Sequence, residues 1–76
     1  MINENEILEN NRNKYFEQAK SFMIYRKNYY LKQGYSFNDA ILEAECDTED
    51  KFKNVLVDEE LNQQMIIDVI REVKKF

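Results

Sequence analysis

Turn-forming residues are almost missing from this chain, whose 76 residues include one glycine, Gly34, and no proline. Sheets joined by tight turns and phosphate-binding loops both depend on glycine where the backbone needs a positive φ, and proline is the other common turn residue. Helices joined by short connections need far fewer of these residues. The sequence therefore predicts an all-α protein, and at this length we expect a single domain, residues 1–76.

One long helix is predicted at the N-terminal end, from about Asn3 to Gln33. Its apolar positions recur at spacings of three, four and seven, which places them on one helical face. Gly34 then supplies the left-handed residue that commonly ends a helix. A helix of about 30 residues is roughly 45 Å long, so we expect either a break near residues 12–14 or a surface left for another chain. The apolar face comprises Leu8, Tyr15, Ala19, Phe22, Met23 and Tyr30.

A second helix is predicted to begin at a capping motif. Ser36 followed by Asp39 resembles a capping box, in which side chains at the helix start bond to unpaired backbone N–H groups. The helix runs in this interpretation from about Phe37 to Cys46. Acidic neighbours disfavour the thiolate of Cys46, which is interpreted as a small buried residue. The residues expected to face the core are Phe37, Ala40, Ile41 and Ala44.

Two further segments are predicted after this helix. Asp47 or Thr48 is expected to cap a third segment. Asp58 is followed by acids that suit the positive end of a helix dipole, and is expected to cap a last helix from about Glu59 to Lys75. Because these segments can also form one bent helix, the prediction is a small bundle of three to four helices with one long N-terminal helix. Their apolar positions are Phe52, Val55 and Leu56, then Leu61, Met65, Ile66, Val69, Ile70, Val73 and Phe76.

Charge is unevenly distributed along the chain, although the net charge is only −4. Residues 12–32 contain six cations and one acid, whereas residues 39–60 contain nine acids and two cations. In one interpretation the two regions pack together and neutralise each other. In the other, the acidic surface contacts a basic partner. The contact residues predicted in that case are Glu43, Glu45, Asp47, Glu49 and Asp50.

The long helix has a second predicted contact surface. On a helical wheel, Ile24 and Leu31 lie opposite the main apolar face, which predicts an interface with a partner or a second copy. Arg26 falls within the main apolar face, where we expect it to pair with a carboxylate, stack on a tyrosine, or contact a partner. The contact residues predicted on this helix are Ile24, Arg26, Lys27, Tyr29 and Leu31.

Residues that commonly carry out catalysis are scarce. The chain has no histidine, the usual general base and the commonest metal ligand, and Cys46 has no second cysteine to pair with. The acidic stretch 47–58 does not fit a calcium loop, because Phe52 stands where the loop requires glycine. We therefore expect no enzymatic activity, no catalytic residue, no cofactor and no metal.

Nucleic acid is the less favoured class of partner. Tyrosines alternate with cations in residues 25–35, a pattern that suits contact with single strands. The chain is acidic overall, however, and a helix-turn-helix around Gly34 would place an acidic helix against phosphates. The predicted partner is instead a protein with a basic surface.

These observations together predict a small non-enzymatic protein-binding regulator. The abundance of asparagine, lysine and isoleucine is typical of AT-rich genomes, including those of some phages, and suggests a stoichiometric inhibitor of a host nucleic-acid-handling protein such as a defence nuclease. The alternatives are a structural homo-oligomer built on the long helix and a single-stranded nucleic-acid binder that uses its basic, tyrosine-rich surface. With no secretory signal and no apolar run longer than four residues, we expect a cytoplasmic location without membrane contact.

Overall fold

A computed structural model of the chain describes residues 4–75, with side chains from residue 11 onward. It contains three helices: α1 spans Glu4–Lys32, α2 spans Phe37–Lys51 and α3 spans Glu59–Val73. No strand occurs in the described part of the chain, which confirms the all-α prediction and the long N-terminal helix. The expected core contributions of Leu8 and Phe76 lie outside the described side chains.

Helix α1 is unbroken and lies against both other helices, which contact each other much less. Of the two alternatives expected for this helix, the break near residues 12–14 does not occur, and no glycine or proline is present there to cause one. At 29 residues α1 is almost twice as long as α2 or α3, which have 15 each. The molecule is correspondingly elongated, with extents of 50 × 18 × 16 Å.

The contacts of α2 show that it runs antiparallel to α1. Arg26 of α1 bonds to Asp47, whereas the earlier residue Phe22 packs edge-on against Phe52, with 5.8 Å between the ring centres. This direction follows from the short connection, residues 33–36, which reverses the chain.

Helix α3 runs in the same direction as α1. Arg12 pairs with Asp68, and the later residue Lys20 pairs with Glu72. The result is an up-down-up bundle of three helices with α1 common to both packed pairs.

Small and flexible apolar side chains fill the core between the helices. Ala19 and Ala44 are completely buried, as are the larger and more flexible Met23 and Met65, whose side chains can fill irregular space. Burying one aliphatic side chain of this size contributes about 1.5–3 kcal/mol to folding. The buried core cluster comprises Ala19, Met23, Ile41, Ala44, Phe52, Leu56, Met65, Ile66, Val69 and Val73.

The helix ends expected from capping residues are confirmed at three positions. The Ser36 hydroxyl accepts a hydrogen bond from the Asp39 N–H at 3.2 Å, and the Asp58 carboxylate accepts one from the Leu61 N–H at 3.0 Å. Gly34 adopts φ +96°, in the left-handed region that glycine enters at little cost. These contacts locate the starts of α2 and α3 and the end of α1.

The prediction that Asp47 or Thr48 caps a separate third segment is wrong. Helix α2 continues to Lys51, and Thr48 is fully buried within it. The Thr48 hydroxyl donates to the Ala44 carbonyl at 2.7 Å, so a bond within the helix satisfies it. Asp47 is instead held by α1, as described below.

Residues 52–58 form the connection between α2 and α3, and a buried asparagine holds it in place. The Asn62 side-chain amide donates to the Phe52 carbonyl at 3.1 Å, and its oxygen accepts from the Leu56 N–H at 2.9 Å. Asn54 takes a left-handed conformation, φ +62°, which asparagine tolerates better than most residues. The last two predicted segments are thus one loop and one helix.

Three residues expected in the core are on the surface. Phe37 is 47% exposed although it shares the spacing of the buried residues of α2, because it is the first residue of that helix. Leu61 is 40% exposed because it lies at the edge of the buried face of α3. Cys46 is also exposed. It is two positions, about 200° of helix rotation, from both Ala44 and Thr48, which face inward.

Candidate partner-binding cleft

A polar cluster joins α1 to α2 beside the core. The Arg26 guanidinium donates to Asp47 Oδ2 at 2.8 Å and to the Tyr30 hydroxyl at 3.0 Å. The Tyr30 hydroxyl donates to the same Asp47 oxygen at 2.7 Å. The guanidinium carbon also lies 4.6 Å from the centre of the Tyr29 ring. The expected pairing of Arg26 with a carboxylate and its stacking on tyrosine are both confirmed.

The cluster changes the acidity of its members. Burial opposes ionisation of Asp47, but the hydrogen bonds from Tyr30 and Arg26 outweigh it and lower the pKa of this carboxyl. The hydrogen bond to Asp47 raises the pKa of Tyr30, and hydrogen bonds to Asp47 and Tyr30 raise that of Arg26. Near neutral pH the cluster therefore contains a carboxylate, a neutral phenol and a cation.

Other charges of the basic helix are also paired within the molecule. Arg12 Nη2 lies 2.6 Å from Asp68 Oδ2, and Lys20 Nζ lies 3.9 Å from Glu72 Oε1. Their partners are on α3 rather than in the acidic segment 39–60. Among the ion pairs found within residues 11–75, Arg26–Asp47 is the one that joins α1 to that segment. Within that segment, Glu45 pairs with Lys74 of α3 at 2.7 Å.

Three of the five predicted acidic contact residues remain on the outer surface. Glu43, Glu49 and Asp50 are exposed, and none of them makes a hydrogen bond or ion pair within residues 11–75. Asp47 and Glu45, by contrast, turn toward the neighbouring helices and are largely covered. The exposed acidic surface of α2 thus contains three of the five predicted residues, and these three lie on the solvent-facing side of the helix.

Glu49 and Asp50 line an open cleft of about 460 Å³ between α2 and α3. Its α3 wall offers apolar surface, since Ile67 is 47% exposed and the buried Ile66 also reaches the cleft. Glu59, at the start of α3, adds a third carboxylate. The lining residues are Glu49, Asp50, Lys53, Asn54, Glu59, Asn62, Gln63, Ile66 and Ile67.

The cleft combines negative charge with an apolar wall. Three carboxylates against the single ammonium of Lys53 leave an excess of two negative charges among its lining residues. Sequence reasoning had assigned Glu59 to the helix dipole and Ile66 to the core, and had not assigned Ile67. The one signal for Ile67 was an apolar residue outside the inward-facing spacing of its helix.

The second predicted surface, on the long helix, is largely covered. Ile24 packs against the core and Lys27 is only 9% exposed, so the premise that they lie on a free face is wrong. Helices α2 and α3 contact different sides of α1, and together they cover a wider face than a single apolar stripe. Leu31 and Tyr29 are exposed, at 38% and 42%, near the end of α1. A role for these residues in partner contact stays a prediction.

Cys46 lies on the solvent side of α2 among acids. Partial loss of hydration and the carboxylates of Glu43, Glu49, Glu45 and Asp47 raise the pKa of its thiol, which therefore stays protonated at neutral pH. No group of three or more cysteine, aspartate or glutamate side chains in the described part of the chain is arranged to hold a metal ion. None of the helices in residues 4–75 has the length and apolar content needed to cross a membrane.

Comparison of the chain with protein-family models, curated protein sequences and solved structures gives no match in any of the three.

Proposed function

We propose that this chain is a non-enzymatic regulator that binds a protein with a basic surface through the cleft between α2 and α3. The observation that carries the proposal is the set of exposed carboxylates, Glu49, Asp50 and Glu59, beside the apolar surface of Ile67. Exposed charge next to exposed apolar area is typical of protein interfaces, whose apolar centre is bordered by polar groups.

The internal ion pairs support an acidic rather than a basic contact surface. Arg12, Lys20 and Arg26 are engaged by carboxylates of α2 and α3, which reduces the number of cations on the basic helix that are available to phosphates. The carboxylates at the cleft have no such partners within residues 11–75. Long-range attraction to a basic partner speeds association and weakens as ionic strength rises.

A binding role also agrees with the chemistry of the lining side chains. The lining side chains of the cleft are carboxylates, amides, one ammonium and aliphatic groups, and include no hydroxyl, thiol or imidazole. The cleft is open to water, which favours recognition of a surface over chemistry on an enclosed substrate.

A nucleic-acid-handling protein is one class of partner with a basic groove. Inhibition of such a protein, including a host nuclease targeted by a phage or mobile element, is the finer form of this proposal. In that form, short duplex DNA should compete with the protein for the partner.

Charge reversal at the cleft tests the proposal. Glu49→Lys changes one exposed glutamate of α2, and Glu17→Lys makes the same change on α1, away from the cleft. Each tagged variant is used to capture partners from a lysate of the source cells after nuclease treatment. We expect one protein to be retained at near-equal amounts by the wild type and by Glu17→Lys, and to be lost with Glu49→Lys.

Two outcomes contradict the proposal. Capture that disappears after nuclease treatment of the wild-type sample would indicate nucleic-acid binding through the long helix. Equal retention by both variants would exclude the cleft as the contact surface. Sedimentation of the purified protein detects the predicted homo-oligomer, which would show a higher mass without any added partner.

A further inference from the structure

We infer that the cleft receives an arginine or lysine side chain of the partner, with its alkyl stem against Ile66 and Ile67 and its charged group beside Glu49 and Asp50; this rests on the proposed function. Long cationic side chains combine an apolar stem with a charged end, and cover apolar surface while the charge stays near water or a carboxylate. The cleft presents the matching combination of an apolar wall and carboxylates.

Each half of this match excludes another class of side chain. An aliphatic side chain would leave the excess of negative charge uncompensated, and an acidic one would be repelled by it. A short polar side chain would leave the exposed part of Ile67 in water, since 47% of that residue is accessible. Arginine and lysine alone carry both a stem and a positive charge.

The molecule already binds one of its own arginines in a comparable way. Arg26 lies within the apolar face of α1 and ends on the Asp47 carboxylate, at 2.8 Å. Its side chain is 26% exposed and that of Asp47 is 29% exposed, so this pair lies in a partly hydrated setting. In the cleft, the cationic side chain would come from a second protein, and this chain would supply the apolar wall and the carboxylates.

The proposed source of the cation is a partner protein rather than a second copy of this chain. Arg12, Lys20 and Arg26 of α1 are paired within the molecule. Lys14 and Lys32 are exposed, so a higher mass of the purified protein in sedimentation would overturn this assignment. Lys53 lines the cleft but is outnumbered by carboxylates, and its exposed, flexible side chain can move aside.

A titration with small probes tests this inference without the partner. Amide chemical shifts of the isotope-labelled full chain are followed by NMR during addition of n-butylguanidinium, of guanidinium, or of n-butanol. We expect n-butylguanidinium to shift the amides that line the cleft. Its half-saturation concentration should be lower than that of either other probe by about tenfold, because it removes roughly two methylenes from water while pairing its charge.

Variants separate the two parts of the contact. Ile67→Asn removes apolar wall and Glu49→Gln removes charge, and both should weaken binding of n-butylguanidinium severalfold. Leu42→Asn is the matched control, because Leu42 is a 56% exposed residue of α2 that lies outside the cleft. This variant should bind n-butylguanidinium as tightly as the wild type does. The same spectra show whether each variant is folded.

Several results would overturn the inference. Shifts spread over the acidic surface, including Glu43, or equal half-saturation for guanidinium and n-butylguanidinium, would show general charge attraction without use of the apolar wall. If the titration fails while Glu49→Lys still abolishes capture of the partner, the proposed function stands and only the side-chain assignment is rejected. If the titration succeeds but Glu49→Lys leaves capture of the partner unchanged, the proposed function is rejected, and the assignment of the cation to the partner is rejected with it.

Discussion

Arg26 shows how one charged residue can lie within the apolar face of a helix. Its guanidinium is held by Asp47 and Tyr30 and stacks on Tyr29, so its charge is compensated although its stem packs beside the core. This use of Asp47 also removes a carboxylate from the acidic surface. The carboxylates proposed to contact a partner are those that internal pairing does not use.

Removing the Asp47 carboxylate should destabilise the protein. Asp47→Asn takes away the charge that compensates Arg26 and weakens the acceptor for two hydrogen bonds. Charged hydrogen bonds are worth about 1.5–3 kcal/mol when buried. Because both side chains are about a quarter exposed, we expect a smaller loss of about 1–2 kcal/mol. Urea unfolding followed by circular dichroism measures it.

The control for this change is Asp50→Asn. Asp50 is an exposed acid on the same helix without a hydrogen bond or ion pair within residues 11–75, so its effect should stay within about 0.5 kcal/mol. Equal effects of the two variants would contradict a stabilising role for the cluster.

Stability should depend on pH through the same carboxyl. The pKa of Asp47 is lowered in the folded protein from its ordinary value of 3.8, so the ionised form favours folding. The contribution of this group is complete above 3.8 and is lost as the pH falls through the lowered folded-state pKa. We expect the free-energy difference between wild type and Asp47→Asn to shrink over that acidic range in urea titrations at stepped pH. A difference independent of pH would indicate altered packing instead.

At the level of helices, the junction of α2 and α3 depends on one buried side chain. Asn62 is 5% exposed and bonds to the Phe52 carbonyl and the Leu56 N–H, which would otherwise be buried without partners. These two hydrogen bonds restrict the conformation of the loop. Because the loop joins α2 to α3, its position affects the width of the cleft between these helices.

Asn62→Ala should accordingly be costly. It leaves one buried carbonyl and one buried N–H unpaired, and we expect a loss of about 2–3 kcal/mol in the free energy of unfolding. Hydrogen exchange at the Leu56 amide should also become faster, because its acceptor is gone. Gln63→Ala, the neighbouring exposed position, should change neither quantity appreciably. Unaltered exchange at Leu56 in Asn62→Ala would contradict this account.

At the scale of the whole molecule, α1 is the common partner of two shorter helices. Packing on two sides of α1 covers residues such as Ile24 that a single apolar stripe would leave outside. Exposed apolar side chains lie instead near the α1–α2 turn, where Leu31, Tyr35 and Phe37 are between 38% and 47% exposed.

Two substitutions on α1 distinguish packing from association. Ile24→Glu places a charge against the core, and we expect about 2–3 kcal/mol of destabilisation with unchanged mass of the folded fraction. Leu31→Glu lies on the surface and should cost less than about 0.5 kcal/mol. Urea unfolding and sedimentation measure the two effects. A fall in mass with Leu31→Glu alone would instead establish a homo-oligomer through the end of α1.

The sequence by itself determined the features that depend on neighbouring residues. A chain with one glycine and no proline is helical, and Ser36, Asp58 and Gly34 mark helix ends through contacts within a few positions of themselves. Local hydrogen bonds and backbone preferences carry this information, which is why those expectations were confirmed.

Only the tertiary structure decided which side chains of the acidic segment remain exposed. Asp47 meets Arg26 across 21 positions and Arg12 meets Asp68 across 56. The cleft beside Ile67 likewise depends on where α3 packs. Such contacts depend on how the helices are placed relative to one another. The spacing of apolar residues along α1 does not specify this placement, because more than one face of α1 is apolar enough to be covered by another helix.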